Sequence, residues 1–235
     1  MNSLRIPVIL VALFLFAGLA TGGYFIGEGI SGRSSGNRTI SVKGLSEKEV
    51  PASIAIWTLS YSVTGNNPIE INARLGESTK AVLEFLKEAG FDEKETAVQP
   101  PSLYDTSVEE REKDSPPPPE RYRARQAVLL RTANVDAVKP AMAAASNLMM
   151  RGVLLTGDSK PDYIYNQLNE IKPGMIQEAT KNARIAAEQF SRDSQTSLGK
   201  LRNASQGWFQ VENRDAATPE RKNVRVVVDV QYEVR

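Results

Sequence analysis

The chain has 235 residues, 41% of them hydrophobic and 24% charged, with a formal net charge of +1. That suffices for one large core or two small ones, and is too balanced for a nucleic-acid binder that works by bulk electrostatics. There is no histidine and no cysteine, which removes Cys/His zinc sites, thiol nucleophiles, imidazole general bases, histidine-ligated haem and any disulfide framework.

Residues 1–5 form a short leader carrying Arg5, and the 22 positions from Ile6 to Gly27 hold no charge. At ~1.5 Å per residue a helix of that length runs roughly 33 Å, enough to cross a hydrocarbon core. Residues 6–27 are therefore expected to span a membrane through Ile6, Val11, Phe14, Leu19 and Ile26, with Tyr24 near the interface. A cleaved signal peptide is the alternative, cut after Gly18-Leu19-Ala20. The apolar run continues past that point as Tyr24-Phe25-Ile26, without a strict A-x-A triplet, which favours the anchor. Gly27 to Asn37 (GEGISGRSSGN) is Gly/Ser-rich, and residues 28–38 are expected to form a flexible tether. A domain is expected over 39–235.

Thr39 to Leu45 sets Ile40 and Val42 on one face and is expected to turn at Gly44. Val50 to Thr64 reads as a long strand, with Trp57, Leu59, Tyr61 and Val63 alternating with Thr58, Ser60, Ser62 and Thr64. Asn67 and Pro68 then supply an N-cap and a first helical position. The following helix turns Ile71, Leu75, Val82, Phe85 and Leu86 inward and stops at Gly90. Thr96 to Tyr104 is expected to be an edge strand broken at Pro100-Pro101. Asp105 to Glu120 is a loop: a mixed charge run, then Pro116, Pro117, Pro118 and Pro119, which favour an extended segment.

Arg121 to Thr132 is a strand with Arg123, Arg125 and Arg131 on one side and Ala124, Val128 and Leu130 on the other. The arginine row suits the wet face of an antiparallel sheet, with lipid phosphates or an acidic neighbour as the functional alternative. Val135 to Met150 reads as a helix whose Met142, Met149 and Met150 fill the core. Short strands are expected at Gly152–Thr156 and Tyr163–Leu168. A long helix begins at Pro173 and presents Met175, Ala179, Ala183, Ala186 and Phe190 on one unusually thin face, whose alanines let it lie close against a sheet. It ends in Asp193–Ser197. The next strand, Lys200 to Val211, carries Trp208 and Phe209. After a turn at Asn213–Arg221, the closing strand Asn223–Val234 alternates Val224, Val226, Val228, Val230, Tyr232 and Val234 with Arg225, Val227, Asp229, Gln231 and Glu233, suiting an inner strand paired on both edges. The order predicts an α+β fold, three helices packed on antiparallel or mixed sheet built from consecutive β-α-β units.

Chemistry finds little purchase. Asp158 and Asp162 flank a turn, but the loop lacks the spacing of a calcium site. Within the expected domain, residues 39–235, there is neither a G-x-S-x-G elbow nor a phosphate-cradling glycine loop. Ser194, Ser197 and Ser205 near Lys200 suit helix-exit capping. A hydrolase working through carboxylates alone is the weakest of the functional classes.

KPGMIQEATKNARIAAEQFSRDSQTSLGKLRNASQGWF, residues 172–209, resembles the signature helix and strand of the SIMPL-domain family, which includes the periplasmic immunogenic proteins of Gram-negative bacteria. VKGLSEKEVPASIAIWTLSYSVTG, residues 42–65, is similar to that family's opening strands. The resemblance extends over Thr39 to Arg235. It implies an envelope protein without an assigned biochemical activity that self-associates into rings, its amino terminus cytoplasmic and its domain periplasmic. The expected function is accordingly structural: a membrane-anchored homo-oligomeric ring or cage serving envelope integrity or stress tolerance. Pro116–Pro119, Trp208 and Phe209 are the candidate contacts between copies. The alternatives are a soluble periplasmic form after signal cleavage, and a binding module or holdase for an envelope ligand or client. No catalytic residue, metal or cofactor is expected; the expected partners are further copies of the chain and the bilayer, with no nucleic acid.

Overall fold

The computed structural model describes residues 16–25, 38–108, 119–157 and 159–235. Residues 16–25 form helix α1. Then follow β1 (Thr39–Pro51), β2 (Ile54–Gly65), α2 (Pro68–Glu88), β3 (Thr96–Val98), β4 (Ser102–Asp105) and β5 (Tyr122–Thr132). Next come α3 (Val135–Ala144), α4 (Asn147–Met150), β6 (Asp162–Ile164), α5 (Leu168–Asp193), β7 (Leu198–Gln206), β8 (Gln210–Asn213) and β9 (Arg221–Val234). The class is α+β, as expected. Among the described residues no helix is long and apolar enough to cross a membrane. Leu19 lies in α1, while Ile6, Val11, Phe14 and Ile26 fall outside the described residues.

The chain divides into two compact units, the first taking in residues up to Ser46, Gly174–Trp208 and Val226–Arg235. In this unit β9 runs between β1 and β7, so the closing strand is indeed inner. Val226, Val228, Val230 and Tyr232 are buried on one face. The buried stripe of α5 is Met175, Ala179, Ala183, Ala187 and Ser191. That corrects the sequence reading. The contact follows an unbroken i, i+4 ridge, so Ala187 and Ser191 replace Ala186 and Phe190, and Phe190 is left 59% exposed. Close approach is real, and Gly44 makes it possible. A Cβ there would sit 1.8 Å from the Ala179 carbonyl oxygen and 2.7 Å from Ala183 Cβ. Gly44 is therefore not a turn; β1 runs straight through it to Pro51. Around this approach Asn182 donates to the Leu45 carbonyl at 2.8 Å and Ser46 donates to Glu178 at 2.7 Å.

The second unit, Glu47–Pro173 with Phe209–Arg225, is built on a sheet of order β3-β5-β2-β6, with β4 also paired to β5. β2 and β5 form a long antiparallel ladder, from Ala55 opposite Thr132 to Gly65 opposite Tyr122. The predicted alternation holds: Trp57, Leu59, Tyr61 and Val63 are buried with Ala124, Val128 and Leu130. α2 covers that face through Ile71, Leu75, Val82, Phe85 and Leu86. Its Asn67 side chain caps the Ile69 N–H, Pro68 opens the first turn, and Gly90 takes φ +91° after the last. β3 and β4, split at Pro100-Pro101, both pair with β5, as an interrupted edge should.

Three readings in this region fail. Val135–Met150 is two helices, because the chain tightens at Ala145, whose N–H donates to Met142. Leu148 takes the inward position and leaves Met149 and Met150 outside, with Met142 also exposed. Gly152–Thr156 contributes a single bridge, Tyr61 to Leu155. Tyr163–Leu168 pairs only as far as Ile164, since Asn166 is drawn off by Ser53 and α5 starts at Leu168, five residues before Pro173.

Tyr61 is wholly buried, its hydroxyl 2.6 Å from Thr79 Oγ1. Burial pushes its pKa up against the opposing effect of the Thr79 hydrogen bond. The folded chain thus keeps a proton that the unfolded chain releases. Its contribution to stability is whole below pH ~10 and declines as pH rises beyond. Burial likewise raises Tyr163 and Tyr165. Denaturant midpoints measured across this range should fall with rising pH, and less steeply in Tyr61→Phe.

Candidate functional site

β7 is the most open strand of the first unit. Among the described residues it pairs only with β9, and from Lys200 to Gln206 it is exposed on both faces. Its ladder is irregular near the start, with register shifts between Leu198 and Leu201 and between Leu201 and Asn203, then regular from Asn203 opposite Gln231 to Gln206 opposite Val228. The Gly207 N–H donates to the Val227 carbonyl at 2.8 Å. Antiparallel alternation then directs the backbone groups of Ser205 and Asn203 at β9, and those of Ala204 and Gln206 outward. An outward row of this kind is a template for another strand.

Beside β7 lies a groove of about 730 Å³ lined by Thr180, Lys181, Arg184 and Glu188 of α5 and by Leu198 and Leu201. Arg184 and Glu188 are paired at 2.9 Å, which holds the helix side of the groove polar. Leu201, Ile185 and Phe190 add exposed apolar area on the same unit. Trp208 follows β7 directly and is 93% exposed.

Of the contact residues expected from sequence, Trp208 and Phe209 fall between β7 and β8 and not within a strand. They do not act as a pair. Phe209 lies under the Lys172 ammonium, 5.6 Å from ring centre, while Trp208 stands in solvent. Pro116, Pro117 and Pro118 lie outside the described residues; Pro119 is described and exposed. The open rim of β7 was missed by sequence reasoning, since pairing on one side only leaves no mark on residue type.

In the second unit an apolar groove of about 570 Å³ runs beside α2, lined by Gly76, Leu83, Leu86 and Phe91 with Lys80 and Lys87 at its margin. No group of three or more acidic residues placed to hold a metal occurs among the described residues. Asp158 lies outside them, and Asp162 sits in β6 opposite Ile56. The serines near Lys200 serve the chain itself: Ser194 donates to the Phe190 carbonyl, and Ser197 exchanges backbone hydrogen bonds with Arg235. Arg121 holds the Asp105 carboxyl well below the usual carboxylate range, as does the Thr218 hydroxyl for Asp215; both are exposed, structural arrangements.

A family model described as "SIMPL: Protein of unknown function (DUF541)" matches residues 40–232. No curated protein matches the chain.

Proposed function

Because this chain belongs to the SIMPL family, whose function is unknown and whose model spans residues 40–232, we propose that it works by assembly and not by bond-making. Copies join into a closed ring or cage with a structural role in the cell envelope. The amino-terminal apolar stretch holds each copy at the inner membrane, with the domain on the periplasmic side. The observation that carries this reading is the unshared rim of β7, ending in an exposed Trp208. A strand edge offers backbone hydrogen bonds to any equivalent copy, and a head-to-tail contact that closes on itself gives a ring.

The test is light scattering coupled to size exclusion on the full chain in detergent. The wild type is expected as a discrete oligomer. Ala204→Pro removes an outward N–H without touching the β9 ladder, and with Trp208→Ala it should shift the mass to that of a single copy. A wild-type chain that is a single copy at high concentration, or a double variant that assembles unchanged, would sink this reading. A second reading, a binding module or holdase, draws on the apolar groove beside α2. A single-copy chain that suppresses aggregation of a denatured client would favour it.

A further inference from the structure

The face of the second unit's sheet turned away from α2 carries three arginines in a line. Arg123, Arg125 and Arg131 alternate along β5 with the buried Ala124, Val128 and Leu130. Arg121, Arg151, Arg184, Arg214, Arg221 and Arg225 all sit within 4.0 Å of a carboxylate. None of the three on this face has such a partner among the described residues. The register sets hydroxyls around two of them. Ser62 and Ser102 flank Arg125, and Thr64 and Tyr104 flank Arg123, on the neighbouring strands β2 and β4. Thr58 and Ser60 continue the β2 row. The hydroxyls of Thr58, Ser60, Ser62, Thr64 and Tyr104 make no hydrogen bond among the described residues. Tyr104 also lies under the Arg125 guanidinium, 5.9 Å from ring centre. Among the described strand residues the carboxylate on this face is Asp162, which shares Ile56 as a cross-strand neighbour with Arg131, at the far end from Arg123.

The geometry points to this face as a docking site for a linear acidic glycan, its carboxylates taken by Arg123 and Arg125 and its hydroxyls by the serine and threonine rows. A guanidinium grips a carboxylate through two parallel hydrogen bonds, and a side-chain hydroxyl both donates to and accepts from a sugar hydroxyl. Along the strand Arg123 and Arg125 stand about 7 Å apart and Arg131 about 20 Å further, at ~3.3 Å per residue, a spacing suited to an extended chain. A bilayer surface fits less well. It would call for exposed bulky apolar side chains between the cations, where β5 has Ala127 and a half-buried Leu129; Ile56 and the exposed Ile164 lie only at the β6 end, beside Arg131 and beyond it. Single-stranded nucleic acid would call for a platform of stacking aromatics, and Tyr104 is a single ring.

The test titrates the full chain in nonionic detergent with labelled oligogalacturonate, with neutral dextran of matched length and with an oligodeoxythymidylate. Oligogalacturonate is expected to bind at least tenfold tighter than either control, and more weakly as salt rises. Arg123→Gln with Arg125→Gln should lose at least tenfold with an unchanged melting curve. Arg123→Lys with Arg125→Lys should fall between, since the charge remains and the fork does not. Dextran binding equally well, the oligonucleotide binding as tightly or more tightly, or the Gln pair binding as the wild type does would each overturn the assignment.

Discussion

Gly44→Ala is expected to destabilise the first unit by about 3 kcal/mol, the upper end of what overpacking costs, because the obstacle is helix backbone and not a side chain that can swing away. The added methyl would meet the Ala179 carbonyl at 1.8 Å, the Ala183 nitrogen at 2.6 Å and Ala183 Cβ at 2.7 Å. Relief requires α5 to lift off β1, which strains the Asn182 and Ser46 hydrogen bonds on either side. Trimming Ala183 to glycine cannot restore the fit, since the carbonyl of Ala179 remains. Thermal unfolding followed by circular dichroism should drop by roughly 10 °C, given about 2–4 °C per kcal/mol at this chain length. A melting curve within a degree of wild type would disprove the close approach.

Trp57→Ala carries the largest expected loss in the second unit, about 3–5 kcal/mol. Trp57 is 1% exposed, meets the Phe85 ring edge-on with centroids 6.4 Å apart, and donates its indole N–H to the Ser159 carbonyl at 2.9 Å. Removing it opens a cavity on the sheet face that α2 covers and strips the carbonyl of its donor. Trp57→Phe keeps most of the apolar fill and loses the hydrogen bond, so it should cost only about 1 kcal/mol. Both substitutions remove the indole at position 57, so urea unfolding of each variant is followed by circular dichroism. Equal midpoints for the Ala and Phe variants would contradict the packing described.

The parts of the fold legible beforehand are those where one periodicity and one burial pattern coincide. β2 and β9 have a single buried face each, so period two names every inward residue from Trp57 to Val63 and from Val224 to Tyr232. The ends of α2 were equally plain, because Asn67, Pro68 and Gly90 act on their own neighbourhood. What escaped depends on distant partners. Gly44 reads as punctuation in a sequence, yet its reason is a helix some 135 residues later. Phe190 is a stronger apolar signal than Ala187, but a helix lying this close has room for a methyl and not for a ring. Among the candidate contact residues, Trp208 and Phe209 look alike in sequence, and Lys172 separates them. The pairing state of the arginines on β5 could not be read at all, for it turns on which carboxylates the fold brings near.

If copies join along β7 as proposed, the slips in register along its first half bear on how strongly they would hold one another. Only Asn203 to Gln206 presents an even rim, so one joint comprises few peptide groups and should loosen readily by itself. A loop of subunits in which every member is gripped twice would persist where a lone pair drifts apart, and a flat, endless ribbon would lack the long smooth border it needs to grow.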